Sequence, residues 1–351
     1  MISRFAKLLC WSARCLLLVM PLALIAAEGQ PEDIPVPANA RPSVQDRWSQ
    51  MDAKTRHEYS VGVGNRERFI RGFPVGAAVY RDIPYAREPF QGLRPSSDQY
   101  LDLYVPPGEG PFPITVLIHG GAWKGGSKDG LGADLASRWL PAGIAVASID
   151  YRFVFDAQFP GMFQDALDAL DYLRGSAAKY HIDIRHISIM GMSAGAHIAG
   201  VAAFAENAHG YQRCGPPAEA VVLLCGFYDL TVETGAWKPG SFIANPRDDF
   251  SNLYPERRYD PEIARKMSPV HLVTHASPPT FVVHGDKDTT APLVQSDLLT
   301  SRMQALKAPV VSRNFPDLNH NLWTTDVLTA AREFIRKPSA AVQAQPPGPH
   351  P

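Results

Sequence analysis

Short apolar, β-branched runs recur along the middle of the chain, and stretches with helical spacing separate them. "YLDLYV", "ITVLIHG", "IAVASIDY", "HISIM", "AVVLLCG", "PTFVVHG" and "VVSRNF" read as strands. Between them lie helix-compatible segments such as "ADLASRWLPAG" and "FQDALDALDYLRGSAAKY", in which Phe163, Leu167, Leu170 and Leu173 share one helical face. Strands that are apolar at nearly every position must be covered on both sides. Alternation with helices therefore predicts an α/β chain with a mostly parallel central sheet and helices on both faces.

The ends of the chain differ from this pattern. Arg4, Lys7 and Arg14 precede the apolar run "CLLLVMPLALIAA", and no acid appears before Glu28. This is the composition of an export signal, and the run is shorter than the ~20 apolar residues that span a bilayer. Residues 1–27 are accordingly expected to be a signal peptide, with the mature protein periplasmic or extracellular and not stably inserted in a membrane. Residues 28–60 ("EGQPEDIPVPANARPSVQ" and onward) read as a loose lead-in, 61–337 as the catalytic domain, and the Pro/Ala/Gln-rich 338–351 as a disordered tail. Cys10 and Cys15 leave with the signal. Cys214 and Cys225 remain, either as a disulfide or as free thiols. They have no histidine at ligand spacing, so no metal site is expected. A formal net charge of −1, with no arginine-rich face, argues against a nucleic-acid partner.

"ISIMGMSAGAHIAG" (187–200) places Gly191-x-Ser193-x-Gly195 where a strand hands over to a helix. A serine projecting from so tight a turn needs neighbours without side chains, and the helix that follows brings N–H groups and positive dipole character beside it. Ser193 is the candidate nucleophile. A serine hydroxyl also needs a base and an orienting acid, which in such sheets follow it in the order acid, then histidine. The base is assigned to His320, in the loop "FPDLNHNLW" after the last strand-like run. His197 is expected to pack inside the nucleophile helix, and His284 merely ends a strand. For the acid, "VVHGDKDTTAP" offers Asp286 and Asp288 just past a strand's C-terminal end, where catalytic groups collect. Asp288 is the preferred candidate, with Asp286 read as a turn former and Asp317 as a further alternative. "LIHGGAW" supplies a small-residue loop able to lay bare N–H groups against a developing oxyanion. Gly121, Ala122 and Ala194 are the expected donors, with His119 holding the loop and Trp123 walling or underlying the pocket.

Together these residues resemble the α/β-hydrolase superfamily. More narrowly they resemble its esterase/lipase group of bacterial feruloyl-esterase-like and isoprenylcysteine methylesterase-like enzymes. "HGGAW", "SIDYRF", "FPGMFQDALDALDYLR", "GMSAGAHIA", "SPPTFVVHGDKDTTAP" and the "NH" before the last helix carry the resemblance, which runs from "YLDLYVPPG" to "EFIRK". It implies an α/β-hydrolase fold and a Ser193–His320–Asp288 serine carboxylesterase with no cofactor, acting on a small or aryl ester. Asp150-Tyr151-Arg152 would be a structural network beside the site. Met192 stands where histidine is common, and "NHNLW" stands in place of Gly-His-Gly. The long segment at about 229–275, with Trp237, Phe242, Phe250, Tyr254 and Tyr259, reads as a small cap insertion whose aromatics face a ring or pack among themselves. A formamidase on the same residues and an inactive binding module are the competing functions.

Overall fold

A computed structural model describes residues 35–232 and 245–338. The expected signal peptide, the tail beyond residue 338, and Trp237 and Phe242 of the expected cap lie outside the described residues. The strands are β1 (Ala78–Pro84), β2 (Tyr100–Val105), β3 (Phe112–Ile118), β4 (Ala145–Ile149), β5 (Ile182–Met192), β6 (Ala220–Leu224), β7 (Thr280–Gly285) and β8 (Val310–Phe315). They form one sheet in the order β1-β2-β4-β3-β5-β6-β7-β8. The β1–β2 and β2–β4 pairings are antiparallel, and every pairing from β4 to β8 is parallel. The expected mostly parallel sheet is present. The antiparallel edge strand β1, "AVYRDIP", had no counterpart among the apolar runs because most of its residues are only half-buried.

The helices are α1 (Pro42–Arg47), α2 (Ala53–Ile70), α3 (Asp129–Trp139), α4 (Gly161–Gly175), α5 (Ala177–Tyr180), α6 (Ala194–Phe204), α7 (Pro246–Asp249), α8 (Pro261–Met267), α9 (Pro269–Leu272), α10 (Val294–Ala305) and α11 (Thr325–Arg336). Strand side chains alternate between two cores, as the pleat requires. Val116, Ile118, Val221 and Leu223 point to the face packed by α4, α6 and α10, where Leu170, Ile198 and Met303 meet them. Leu117, Val222 and Leu224 point to the opposite face, against Ala133, Leu135, Val327 and Leu328 of α3 and α11. Each fully buried aliphatic side chain contributes roughly 1.5–3 kcal/mol. Among the described residues no helix is long and apolar enough to cross a membrane.

The described part of the lead-in is not loose. Asp52 caps α2 by accepting from the Thr55 N–H at 2.7 Å. Tyr59 and Val63 are buried with Val44 and Trp48 in a small core of their own. What looked like a polar, poorly packed stretch is instead an ionic anchor. Arg66 reaches Asp102 at 3.1 Å and Asp129 at 2.6 Å, and Arg41 lies 3.3 Å from both Asp98 and Asp150. Lys128 adds close approaches to Asp102 (2.7 Å) and Asp82 (2.8 Å), as charge-to-charge contacts rather than well-aligned hydrogen bonds. Burial would push the Asp102 carboxyl up, but Lys128 and Arg66 hold it down at about 2.

The described part of the expected cap is packed down. Phe250 and Tyr254 are buried, Phe250 sits edge-on to Trp123 with ring centroids 5.3 Å apart, and the Leu253 carbonyl accepts from the Phe159 N–H at 2.9 Å.

Removing one partner of a buried ion pair strands the other. Arg66→Met should therefore lower stability by about 3 kcal/mol by leaving Lys128 alone to offset the buried Asp102 and Asp129. Urea unfolding reads this directly. Arg185→Ala, which breaks a surface pair with Asp183, should leave the midpoint in place.

Candidate active site

The site starts from a backbone that admits no side chains. A β-carbon on Gly191 would fall on the Gly195 carbonyl, and one on Gly195 would fall on the Ile118 and His119 carbonyls. The end of β5, the head of α6 and the end of β3 are thus pressed together. Ser193, between the two glycines, takes φ 56° and ψ −124°, a conformation that costs on the order of 1–3 kcal/mol. Its N–H donates to the Leu224 carbonyl at 2.8 Å and its carbonyl accepts from the His197 N–H at 3.1 Å, which fixes the turn at both ends.

The side chain thrown out by this turn meets the expected base. His320 Nε2 lies 2.9 Å from Ser193 Oγ, and His320 Nδ1 lies 2.7 Å from Asp288 Oδ2. Nδ1–H therefore donates to the carboxylate, leaving Nε2 to accept from the hydroxyl. The base loop is held in three ways. Gly285 allows it to cross the acid loop, since a β-carbon there would fall on the Leu318 and Asn319 carbonyls. The Asn319 and Asn321 side chains accept from the Asn321 and Trp323 N–H groups. The Trp323 indole N–H donates to Asp134 Oδ2 on α3 at 2.6 Å. Asparagine side chains thus provide the turn that the expected Gly-His-Gly would have provided by backbone freedom.

Asp288 is brought to His320, and its two alternatives are not. Asp286 is exposed, and Asp317 pairs with Lys287 on the surface. Asp288 Oδ1 accepts from the N–H groups of Thr290 (2.7 Å) and Ala291 (3.0 Å). Burial pushes its carboxyl up, but the His284 and His320 rings beside it and the Thr290 N–H together hold it well below the usual carboxylate range. His284 was passed over in the sequence as a strand end. It is wholly buried, 3.2 Å from Asp288 Oδ2, with Nε2–H donating to the Ala291 carbonyl and Nδ1 accepting from Ser296. Its place four residues before the acid was the signal available.

The loop after β3 has the expected unusual backbone: Gly121, Ala122 and Trp123 all have positive φ. Gly121 and Ala122 line the same cavity as Ser193 and His320, a space of about 670 Å³. Ala194 is the first residue of α6, so its N–H has no acceptor within the helix. His119 is buried beneath the loop, donates from Nδ1 to the Gly120 carbonyl at 2.7 Å and stacks on Tyr151, whose hydroxyl donates to the His119 carbonyl. Asp150 accepts from the Lys128 N–H at 2.7 Å, and Arg152 pairs with Asp165 at 2.6 Å, which fits the structural part expected of 150–152. Trp123 packs under the pocket, its indole N–H donating to His197 Nδ1 at 3.1 Å, while His197 Nε2–H donates to the Met267 carbonyl.

Helix α2 forms one wall of the cavity through Glu58, Val61, Asn65 and Phe69. Sequence reasoning did not find that wall, and located substrate choice in the insertion. The described insertion aromatics Phe250, Tyr254 and Tyr259 are not among the cavity's lining residues. Cys214 and Cys225 are not joined to each other; the first is exposed and the second buried. Cys225 donates to the His320 carbonyl at 3.3 Å. Cys225, Asp288 and His320 offer ligand atoms within 4.8 Å of one another. However, burial pushes the thiol up, its S–H is taken by the His320 backbone carbonyl, and Asp288 and His320 already bond each other, so the set is poorly suited to a cation.

Comparison with known proteins places this geometry. The BD-FAE family profile matches residues 101–303. The chain is 30% identical over 271 residues to esterase LipC of Mycobacterium tuberculosis, covering 73% of this chain and 64% of that protein. It is 29% identical over 241 residues to the isoprenylcysteine alpha-carbonyl methylesterase ICME of Arabidopsis thaliana, covering 66% and 53%. The chain therefore spans less than two-thirds of the length of these relatives. Among solved structures, a truncated carbohydrate esterase from gut microbiota superposes with a TM-score of 0.64 at 24% identity, over 75% of this chain and 96% of that one, a likeness of fold.

Burial pushes both His119 and His197 down to about 4. In unfolded chains each titrates near 6.5, so below that pH the unfolded state binds protons that the native state refuses. The stability these neutral rings contribute is present above pH 6.5 and lost as pH falls through 4, at about 1.4 kcal/mol per pH unit for each ring. Urea midpoints measured across pH 7 to 4.5 should fall accordingly, and His197→Gln should make the dependence shallower. An unchanged slope would mean that His197 is not held neutral.

Proposed function

The chain belongs to the BD-FAE family of esterase-type α/β-hydrolases, and from that premise we propose that it is a serine carboxylesterase in which Ser193 is the nucleophile, His320 the base and Asp288 the orienting acid. The observation that carries this reading is the continuous chain Ser193 Oγ–His320–Asp288, at 2.9 and 2.7 Å, opening into the cavity beside Gly121 and Ala122. Ser193 Oγ attacks the ester carbonyl carbon while its proton passes to His320 Nε2. The N–H groups of Gly121, Ala122 and Ala194 receive the oxygen as it becomes negative, and one such donor contributes ~3 kcal/mol to the transition state. The imidazolium that forms is stabilised by Asp288, which its neighbours keep ionised. His320 then protonates the departing alcohol, and water activated by the same ring releases the acid. The mixture of apolar wall (Val61, Phe69, Phe227, Trp323) with a few polar groups favours a small or aryl ester.

Short 4-nitrophenyl esters are the test substrates. Ser193→Ala and Asp288→Asn should each lower kcat by about 10⁴-fold or more, the second with little change in fold. Fluorophosphonate labelling should vanish in Ser193→Ala alone, and normal turnover in that variant would end the proposal. Export belongs to the same reading, on the strength of the basic residues and apolar run in 1–27. Intact-mass measurement of secreted protein should then place the new N-terminus close to Glu28, while full-length protein retained in the cytoplasm would contradict it.

A further inference from the structure

A second cavity, of about 500 Å³, adjoins the first and shares with it Gly121, Gly126, Ser127 and Glu58. Gly121 belongs to the loop that faces the reacting carbonyl, so the two spaces meet at the chemistry. The inner surface of the second is apolar, with buried Tyr59, Pro95 and Phe153, and exposed Phe155 extends it outward. Its charged members are Lys54, Arg94 and Lys124, against the single carboxylate of Glu58, an excess of positive charge. Lys54 and Glu58 are 3.7 Å apart and partly cancel. Neither Arg94 nor Lys124 has a carboxylate within ion-pairing distance among the described residues; Asp52 and Asp156 feel Arg94 only at longer range. Arg94 is half-buried and Lys124 exposed, and both border an apolar slot that adjoins the serine's cavity.

We infer that this second cavity receives a carboxylate carried on a ring-sized apolar arm of the same ester that Ser193 attacks, with Arg94 and Lys124 as its counter-charges. The inference rests on the reading of Ser193 as nucleophile and adds a substrate class to it: esters bearing a negative charge on one arm. The ring lies on Phe153 and Phe155, and the carboxylate lies toward the exposed cations, where part of its hydration is kept and the cost of desolvation is small. Glu58, on the wall common to both cavities, opposes the charge and tunes the preference.

Two matched pairs of esters test this and separate the arms. 4-Acetoxybenzoate against 4-acetoxybenzamide carries the charge on the leaving alcohol. 4-Nitrophenyl 4-carboxybenzoate against 4-nitrophenyl 4-carbamoylbenzoate carries it on the acid. In at least one pair the anionic member should have the higher kcat/KM, by about tenfold, as two cations a few ångströms from a carboxylate in a partly exposed site imply. The preference should reside in KM and shrink in about 0.5 M NaCl. It should disappear in the double variant Arg94→Gln/Lys124→Gln while rates on the neutral members stay within about twofold. Glu58→Gln should enlarge it. Equal rates within both pairs, or a preference that survives the double variant, would overturn the inference while leaving the esterase reading intact. Turnover of 4-nitrophenyl acetate with none of the four esters hydrolysed would overturn the inference alone, and loss of both activities would remove the esterase reading with it.

Discussion

Everything in the site depends on how closely three pieces of backbone approach at the end of the sheet. β3, β5 and the head of α6 meet at distances that exclude a β-carbon at residues 191 and 195. Ser193 is forced into positive φ there, and the strain is held by the Leu224 and His197 hydrogen bonds rather than relaxed. Because β3 lies beside β5, the loop leaving β3 must run past the serine. Because β6 and β7 follow on the other side, the acid and base loops arrive from the opposite direction. The groups around Ser193 converge because strand order and a side-chain-free contact leave them nowhere else to go.

A second constraint ties the N-terminal helix to this platform. Charges are costly to bury unless paired, and the chain buries several in one place. Arg41 and Arg66 come from the N-terminal segment, Asp98 and Asp102 from the β2 region, and Lys128, Asp129 and Asp150 from beside the loop after β3. Such a cluster adds less net stability than an apolar core would, yet it fixes register, because one displaced partner strands the rest. Here it holds α2 where Val61, Asn65 and Phe69 face the serine. The family match begins only at residue 101. One wall of the cavity is therefore built by a segment outside the matched region.

This division explains what could be read in the sequence. The parallel strands were legible because their runs are apolar on both faces, and Ser193, Asp288 and His320 were legible because chain order and strand ends restrict where such groups can stand. Helix α2 was not, because its buried face includes Arg56 and Arg66 and it carries no apolar stripe for periodicity to find. Pairing, which a linear reading does not see, made those arginines core residues. His284 was hidden for a related reason: as the last buried residue of β7 it looked structural, and only the turn to Asp288 gives its ring a part in holding the carboxylate. For the insertion the sequence left two roles open, facing a ring or packing, and among the described residues Phe250 packs against Trp123.

On the proposed reading the two cavities separate two electrostatic tasks that one site could confuse. The N–H groups around Ser193 are backbone dipoles fixed in place, and as oxyanion donors they would act on charge that exists only as the reaction proceeds. Arg94 and Lys124 line the second cavity; in the inference drawn from it they would act on charge that a substrate already carries, and salt would screen them over about 10 Å. Stabilisation present equally in the bound substrate and in the transition state alters which ester is captured and leaves the chemical step alone. With backbone dipoles on one side of Gly121 and side-chain cations on the other, selection under this proposal could change through side chains while the geometry assigned to ester cleavage stayed constant.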